Sequence, residues 1–88
     1  ITRRLLDSDQ ADDVVAGLRI ARHCNWRSAA TVARRLFDHP DARVREQACL
    51  ACGEMGGPSL VIPLRGLLRD PDPRVRRAAD NAIARIEG

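Results

Sequence analysis

Three groups of side chains in this sequence are of types that do chemistry, and their spacing decides what each can do. Cys49-Leu50-Ala51-Cys52 has the spacing of a redox or metal-binding dithiol. A redox dithiol needs its first thiol at a helix N-terminus, where the dipole lowers the thiol pKa. Here the pair falls in the middle of a helix that begins near Ala42, with Cys52 on its apolar side. A tetrahedral zinc site would need two further ligands, and Cys24 is the one cysteine left. His23 and His39 fall late in a helix and in a turn, which gives no metal-ligand spacing. The expectation is of buried thiols and surface histidines in a reducing cytoplasm, with no catalytic residue, metal or cofactor.

Arginine forms the third group. All 15 basic residues are Arg, and each is a permanent planar cation whose fork fits carboxylate or phosphate. Arg3, Arg34 and Arg65 recur at intervals of 31 residues, Arg4 and Arg35 stand beside them, and Arg69 is close by. On successive parallel helices these residues would form a basic stripe with one rung about every 10 Å. Trp26 and Phe37 are the only aromatic residues, and Phe37 is expected in the core, so the stripe has no platform for stacked bases. A net charge of +3 permits an acidic partner without requiring one.

The elements that must hold these residues follow from an internal repeat. Leu36-Phe37-Asp38-His39-Pro40-Asp41-Ala42-Arg43-Val44-Arg45 returns 31 residues later as Leu67-Leu68-Arg69-Asp70-Pro71-Asp72-Pro73-Arg74-Val75-Arg76. A fixed period of this size marks a stacked array whose units cannot bury their apolar faces alone. Within it, Val44, Ala48, Ala51, Cys52 and Met55 share one helical face, with Asp41 as N-cap and Gly56-Gly57 as the stop. The spacing predicts a second helix over 58–69 that buries Leu60, Val61, Leu64, Leu67 and Leu68 and is kinked at Pro63. A third runs from Pro73 to about Glu87 with Val75, Ala79, Ala82, Ile83 and Ile86 inward. Upstream, a helix over about 10–24 uses Val14, Leu18, Ala21 and Cys24, and one to Asp38 uses Ala29, Ala30, Ala33, Leu36 and Phe37. Asp13 falls on the Val44 and Val75 position, so the first repeat is out of phase by about one residue.

The resulting fold class is all-α, an α-solenoid of antiparallel helix pairs with about two and a half repeats of 31 residues. The single domain 1–88 divides into a partial repeat 1–9, repeats 10–40 and 41–72, and a partial repeat 73–88. No apolar run is long enough to span a membrane and no signal peptide is evident. The chain opens at Ile1 without an initiator Met, so it is expected to be a piece of a longer protein. Bare apolar faces are expected around Ile83, Ile86, Leu5 and Leu6, favouring end-to-end self-association or further repeats.

Asp-x-x-Val-Arg-x-x-Ala, present as Asp41, Val44, Arg45, Ala48 and again as Asp72, Val75, Arg76, Ala79, resembles the short bacterial HEAT repeats of the phycobilisome-lyase type. The likeness is strong over 36–88. It implies a protein–protein interaction scaffold, with the B helices, the second of each pair, lining the inner surface. It also implies that Arg45 and Arg76 belong to the stacking ladder, meeting capping carboxylates such as Asp41 at helix ends of a neighbouring repeat. Related helical-repeat hydroxylases carry His-Glu after the Val-Arg pair as iron ligands. Here those positions are Glu46-Gln47 and Arg77-Ala78, and no residue carries lyase chemistry.

The function expected is therefore a non-enzymatic scaffold that binds a protein or acidic peptide on the B-helix surface through Arg3, Arg4, Arg34, Arg35, Arg65 and Arg69. The alternatives are sequence-nonspecific nucleic-acid binding by the same surface, and membership of a larger lyase-like or other enzyme complex.

Overall fold

A computed structural model describes residues 10–23 and 29–88. The expectations for Arg3, Arg4, Leu5, Leu6, Cys24 and Trp26 lie outside the described residues. Five α-helices follow in order: α1 (Ala11–His23), α2 (Ala29–Arg35), α3 (Ala42–Met55), α4 (Val61–Gly66) and α5 (Pro73–Glu87). Short 3₁₀ turns cover Leu36–Asp38, Pro58–Leu60 and Leu67–Arg69, and there is no strand among the described residues.

A repeated turn sets where α3 and α5 begin. Asp41 and Asp72 adopt extended backbone, and each accepts a 2.8 Å hydrogen bond from the backbone N–H two residues on, those of Arg43 and Arg74. Each therefore satisfies one of the orphan donors of its helix start. Two residues before each cap, His39 Nδ1 accepts from the Asp41 N–H at 3.0 Å, and Asp70 Oδ1 accepts from the Asp72 N–H at 2.9 Å. The imidazole of His39 thus occupies the structural position of the Asp70 carboxylate one repeat later. In the sequence His39 reads as a surface residue; the turn gives it a partner.

Helices α1, α3 and α5 lie side by side with α3 in the middle, while α2 packs on α3 and α4 on α5. The apolar stripes meet between these two layers. Val44 and Val75 are both fully buried, and Leu18, Ala33, Ala48, Leu64 and Ala79 join them in one continuous core. In α1 the buried residue is Val14 while Asp13 is half-buried, which is the one-residue slip of the first repeat. Helices α3 and α5 approach closely at Gly53. A Cβ there would lie 2.8 Å from Ala82 Cα, so the absence of a side chain sets this spacing.

Three expectations are corrected. Residues 58–69 do not form one kinked helix but a 3₁₀ turn, the six-residue α4 and another 3₁₀ turn. By restarting the α-helix at Val61, the chain places Pro63 in the first turn, where its missing N–H would have had no intrahelical partner. The broken helix also rotates Leu68 outward to 38% exposure and leaves Leu60 and Leu67 only half-buried. Finally, the face around Ile83 and Ile86 is not bare: Ile83 is buried and Ile86 packs half-buried against the core. Cys49 and Gly53 of α3 correspond by the repeat to Asp80 and Ala84 of α5, which are both exposed. The outer side of α5 is therefore more polar than the equivalent side of α3.

Val44 sits at zero exposure between helices, so Val44→Asp buries a carboxylate with no cation provided for it. A loss of about 3–5 kcal/mol in unfolding free energy is expected by denaturant titration. A loss below about 1 kcal/mol would contradict the repeat register.

Candidate partner-binding surface

On the layer of α1, α3 and α5, five of the eight arginines are held by specific acceptors, while Arg19, Arg77 and Arg85 are exposed with no ion pair or side-chain hydrogen bond among the described residues. Arg22 of α1 makes a bidentate pair with Glu54 of α3 at 2.9 and 2.8 Å and donates to Gln47 Oε1 at 2.8 Å. That pairing holds the Glu54 carboxyl below its ordinary range. Arg43 reaches back one repeat to Asp12 at 2.7 Å, so residues that share a register position carry opposite charges and meet. Arg43 and Arg74 also fold back onto their own caps. These side-chain bonds, followed by the backbone N–H bonds, hold Asp41 and Asp72 below the usual carboxylate range.

Arg45 and Arg76 are the arginines that the resemblance assigns to the stacking ladder, but their acceptors differ from expectation. Arg45 Nη1 donates to the carbonyls of His39 and Pro40 at 2.7 and 3.1 Å, and Arg76 Nη1 to those of Asp70 and Pro71 at 2.6 and 3.2 Å. Each guanidinium thus ties down the turn that precedes its own helix. The carboxylate met by Arg45 is that of Asp70 in the next turn, not Asp41. Nε donates at 2.8 Å and Nη2 at 3.2 Å, and the Asp70 side chain is only 5% exposed. Asp41 is already occupied by Arg43, and the single turn between repeats brings Asp70 to the free edge of Arg45.

The layer of α2 and α4 is different. Arg34 and Arg35 end α2, Arg65 lies in α4 and Arg69 in the 3₁₀ turn that follows. All four are exposed, and none has an ion pair or side-chain hydrogen bond among the described residues. Over 29–38 and 58–69 the one acidic residue is Asp38. Positive charge therefore gathers on these elements because the acids that would balance it sit on the other layer. A cavity of about 250 Å³ opens beside Arg34, with Thr31, Ser59 and Gly57 at its rim and Met55 and Leu60 in its wall. The sequence reading missed this cavity, because it forms only where α2 meets the turn after α3.

Cys49 and Cys52 are both buried and free. Burial first, and neighbouring charges second, push the Cys49 thiol up to about 12; burial raises that of Cys52 to about 12 as well. Cys52 Sγ lies 3.8 Å from the Ala30 carbonyl as a weak donor. Both groups are thus held as thiols, the reverse of a redox dithiol. Phe37 is buried, which removes it from any contact with stacked bases. Among the described residues, no three His, Cys, Asp or Glu side chains converge as a metal site. No described helix is long and apolar enough to cross a membrane.

Two outcomes are expected. Arg45→Ala strands the buried Asp70 carboxylate and should lower stability by about 3 kcal/mol or more. Arg76→Ala loses only carbonyl hydrogen bonds, worth about 1 kcal/mol; equal losses in thermal melts would contradict the assignment. For the thiols, a Cys24→Ser chain should react with a disulfide reagent at pH 8 only as fast as it unfolds. Because their folded values lie above the ordinary 9.0, stability should be intact below that pH. It should fall as pH rises from 9 toward 12, when the unfolded chain alone releases its thiol protons. Rapid labelling of the folded chain, or flat stability across that range, would show the sites to be open.

Residues 29–88 match the family described as HEAT repeats, and no curated protein matches the chain. The match covers α2 to α5, and with it both copies of the capped turn, both stacking arginines and the buried Val44 and Val75 pair. By the repeat in its sequence, the layered helices that repeat builds and this family match, the chain belongs to the HEAT-repeat family.

Proposed function

We propose that the chain is a protein–protein interaction scaffold that binds an acidic segment of its partner on the α2 and α4 layer. HEAT repeats serve in general as protein-binding modules and are typically non-enzymatic. The observation that carries the finer reading is the contrast between the layers. Arg34, Arg35, Arg65 and Arg69 are exposed and have no ion pair or side-chain hydrogen bond among the described residues, on elements whose one acid is Asp38, whereas five of the eight arginines on the other layer, Arg22, Arg43, Arg45, Arg74 and Arg76, are engaged. A guanidinium already bound to a carboxylate has little left to offer a ligand; an unpaired one has its full fork. Arg3 and Arg4, which share the 31-residue spacing of Arg34 and Arg35, belong to the same proposed set. The repeat units in this reading are 10–40 and 41–72, flanked by partial units 1–9 and 73–88. The buried free thiols of Cys49 and Cys52 suit a reducing, cytoplasmic setting.

An Arg34→Ala, Arg65→Ala double variant tests the assignment. Its melting should stay within about 0.5 kcal/mol of the parent, since both side chains are exposed. Its affinity for a fluorescent poly-glutamate peptide, read by anisotropy at low salt, should fall. Early melting would mean that these arginines are structural. Unchanged affinity would mean that the layer is only a solvated face, and tighter binding of single-stranded DNA with a steep salt slope would favour a phosphate ligand instead.

A further inference from the structure

The four exposed arginines of the α2 and α4 layer do not have equal surroundings. Arg34 alone lines the cavity of about 250 Å³ between α2 and the turn 56–60. Thr31, one helical turn before it, and Ser59 across the gap also line this space, and each carries a hydroxyl able to donate a hydrogen bond. Met55 and Leu60 form an apolar wall packed against the core. At the register equivalent of Thr31 beside Arg65 stands Ile62, 79% exposed, which offers no hydroxyl. Arg35 and Arg69 do not line the cavity.

These features select a ligand class. The volume is below the roughly 300–1,000 Å³ usual for small-molecule pockets, yet it holds one side chain with room for water. A single guanidinium with two hydroxyls matches one negative charge, and a phosphate would leave charge uncompensated. The apolar wall accommodates methylene groups behind the carboxylate. Glutamate, with one more methylene than aspartate, fits this combination.

Resting on the acidic-partner reading above, we infer that the Arg34 cavity is the anchor of the surface and takes a glutamate side chain of the bound segment. Arg34 holds the carboxylate through its fork, Thr31 and Ser59 donate to the same oxygens, and Met55 and Leu60 cover the methylenes. Arg35, Arg65 and Arg69 draw the acidic segment in without holding a particular side chain.

The test uses the full chain with poly-glutamate and poly-aspartate peptides of equal length, and compares Arg34→Lys, Arg65→Lys and Thr31→Leu. All three keep the net charge and change exposed positions; melting curves verify that each is folded. Replacing a bidentate fork by a point charge should weaken poly-glutamate binding roughly tenfold for Arg34→Lys, while Arg65→Lys stays within about twofold. Thr31→Leu should also weaken it, and the parent should prefer poly-glutamate to poly-aspartate. Equal effects of the two Lys variants, or no effect of Thr31→Leu, would overturn the cavity while leaving the basic layer as the binding surface. If neither peptide binds even at low salt, the acidic-partner reading fails and the anchor fails with it.

Discussion

The structure hangs on one guanidinium. Arg45 bonds two carbonyls of the turn before its own helix and the buried carboxylate of the turn before the next helix. It thereby fixes α3 against α5 in rotation and in register, where apolar contact alone would allow sliding. Removing charges from water is costly, and such a pair is retained only where geometry and extra hydrogen bonds compensate. Here they do. The Asp72 N–H takes the remaining capacity of Asp70, and no buried side-chain polar atom lacks a partner among the described residues.

Once that register is set, packing can be close. Gly53 lets α3 and α5 touch at Ala82, and Val44 and Val75 are equally buried in successive repeats. The same geometry sorts charge. Helices α1, α3 and α5 carry acids and arginines at positions that the stacking brings together, so Arg43 meets Asp12 and Arg22 meets Glu54. The α2 and α4 elements carry arginines with almost no acids, and stacking supplies none. Exposed arginines with almost no acids on their own elements are thus a by-product of where the ladder places its carboxylates.

The thiols show how a motif changes meaning with depth. A C-x-x-C at a helix start is activated by the dipole. In mid-helix, walled by the core, the same spacing leaves Cys49 and Cys52 protonated and inert. Spacing alone did not separate the two cases; the position of Asp41 as the helix cap did.

By itself the sequence determined the helical class, the period, the cap at Asp41, the inward faces of α3 and α5 and the slip of the first repeat. These are local quantities, set by spacing along one helix and by the chemistry of its ends. Tertiary structure alone decided the partner of Arg45, the pairing of Arg22 with Glu54 and the cavity beside Arg34. Each of these depends on which atoms of distant segments arrive together, and a repeat length does not specify that. The basic stripe lies between the two. Its members were legible as a column of arginines, but only the structure shows that Arg34, Arg35, Arg65 and Arg69 are exposed with no counter-ion among the described residues.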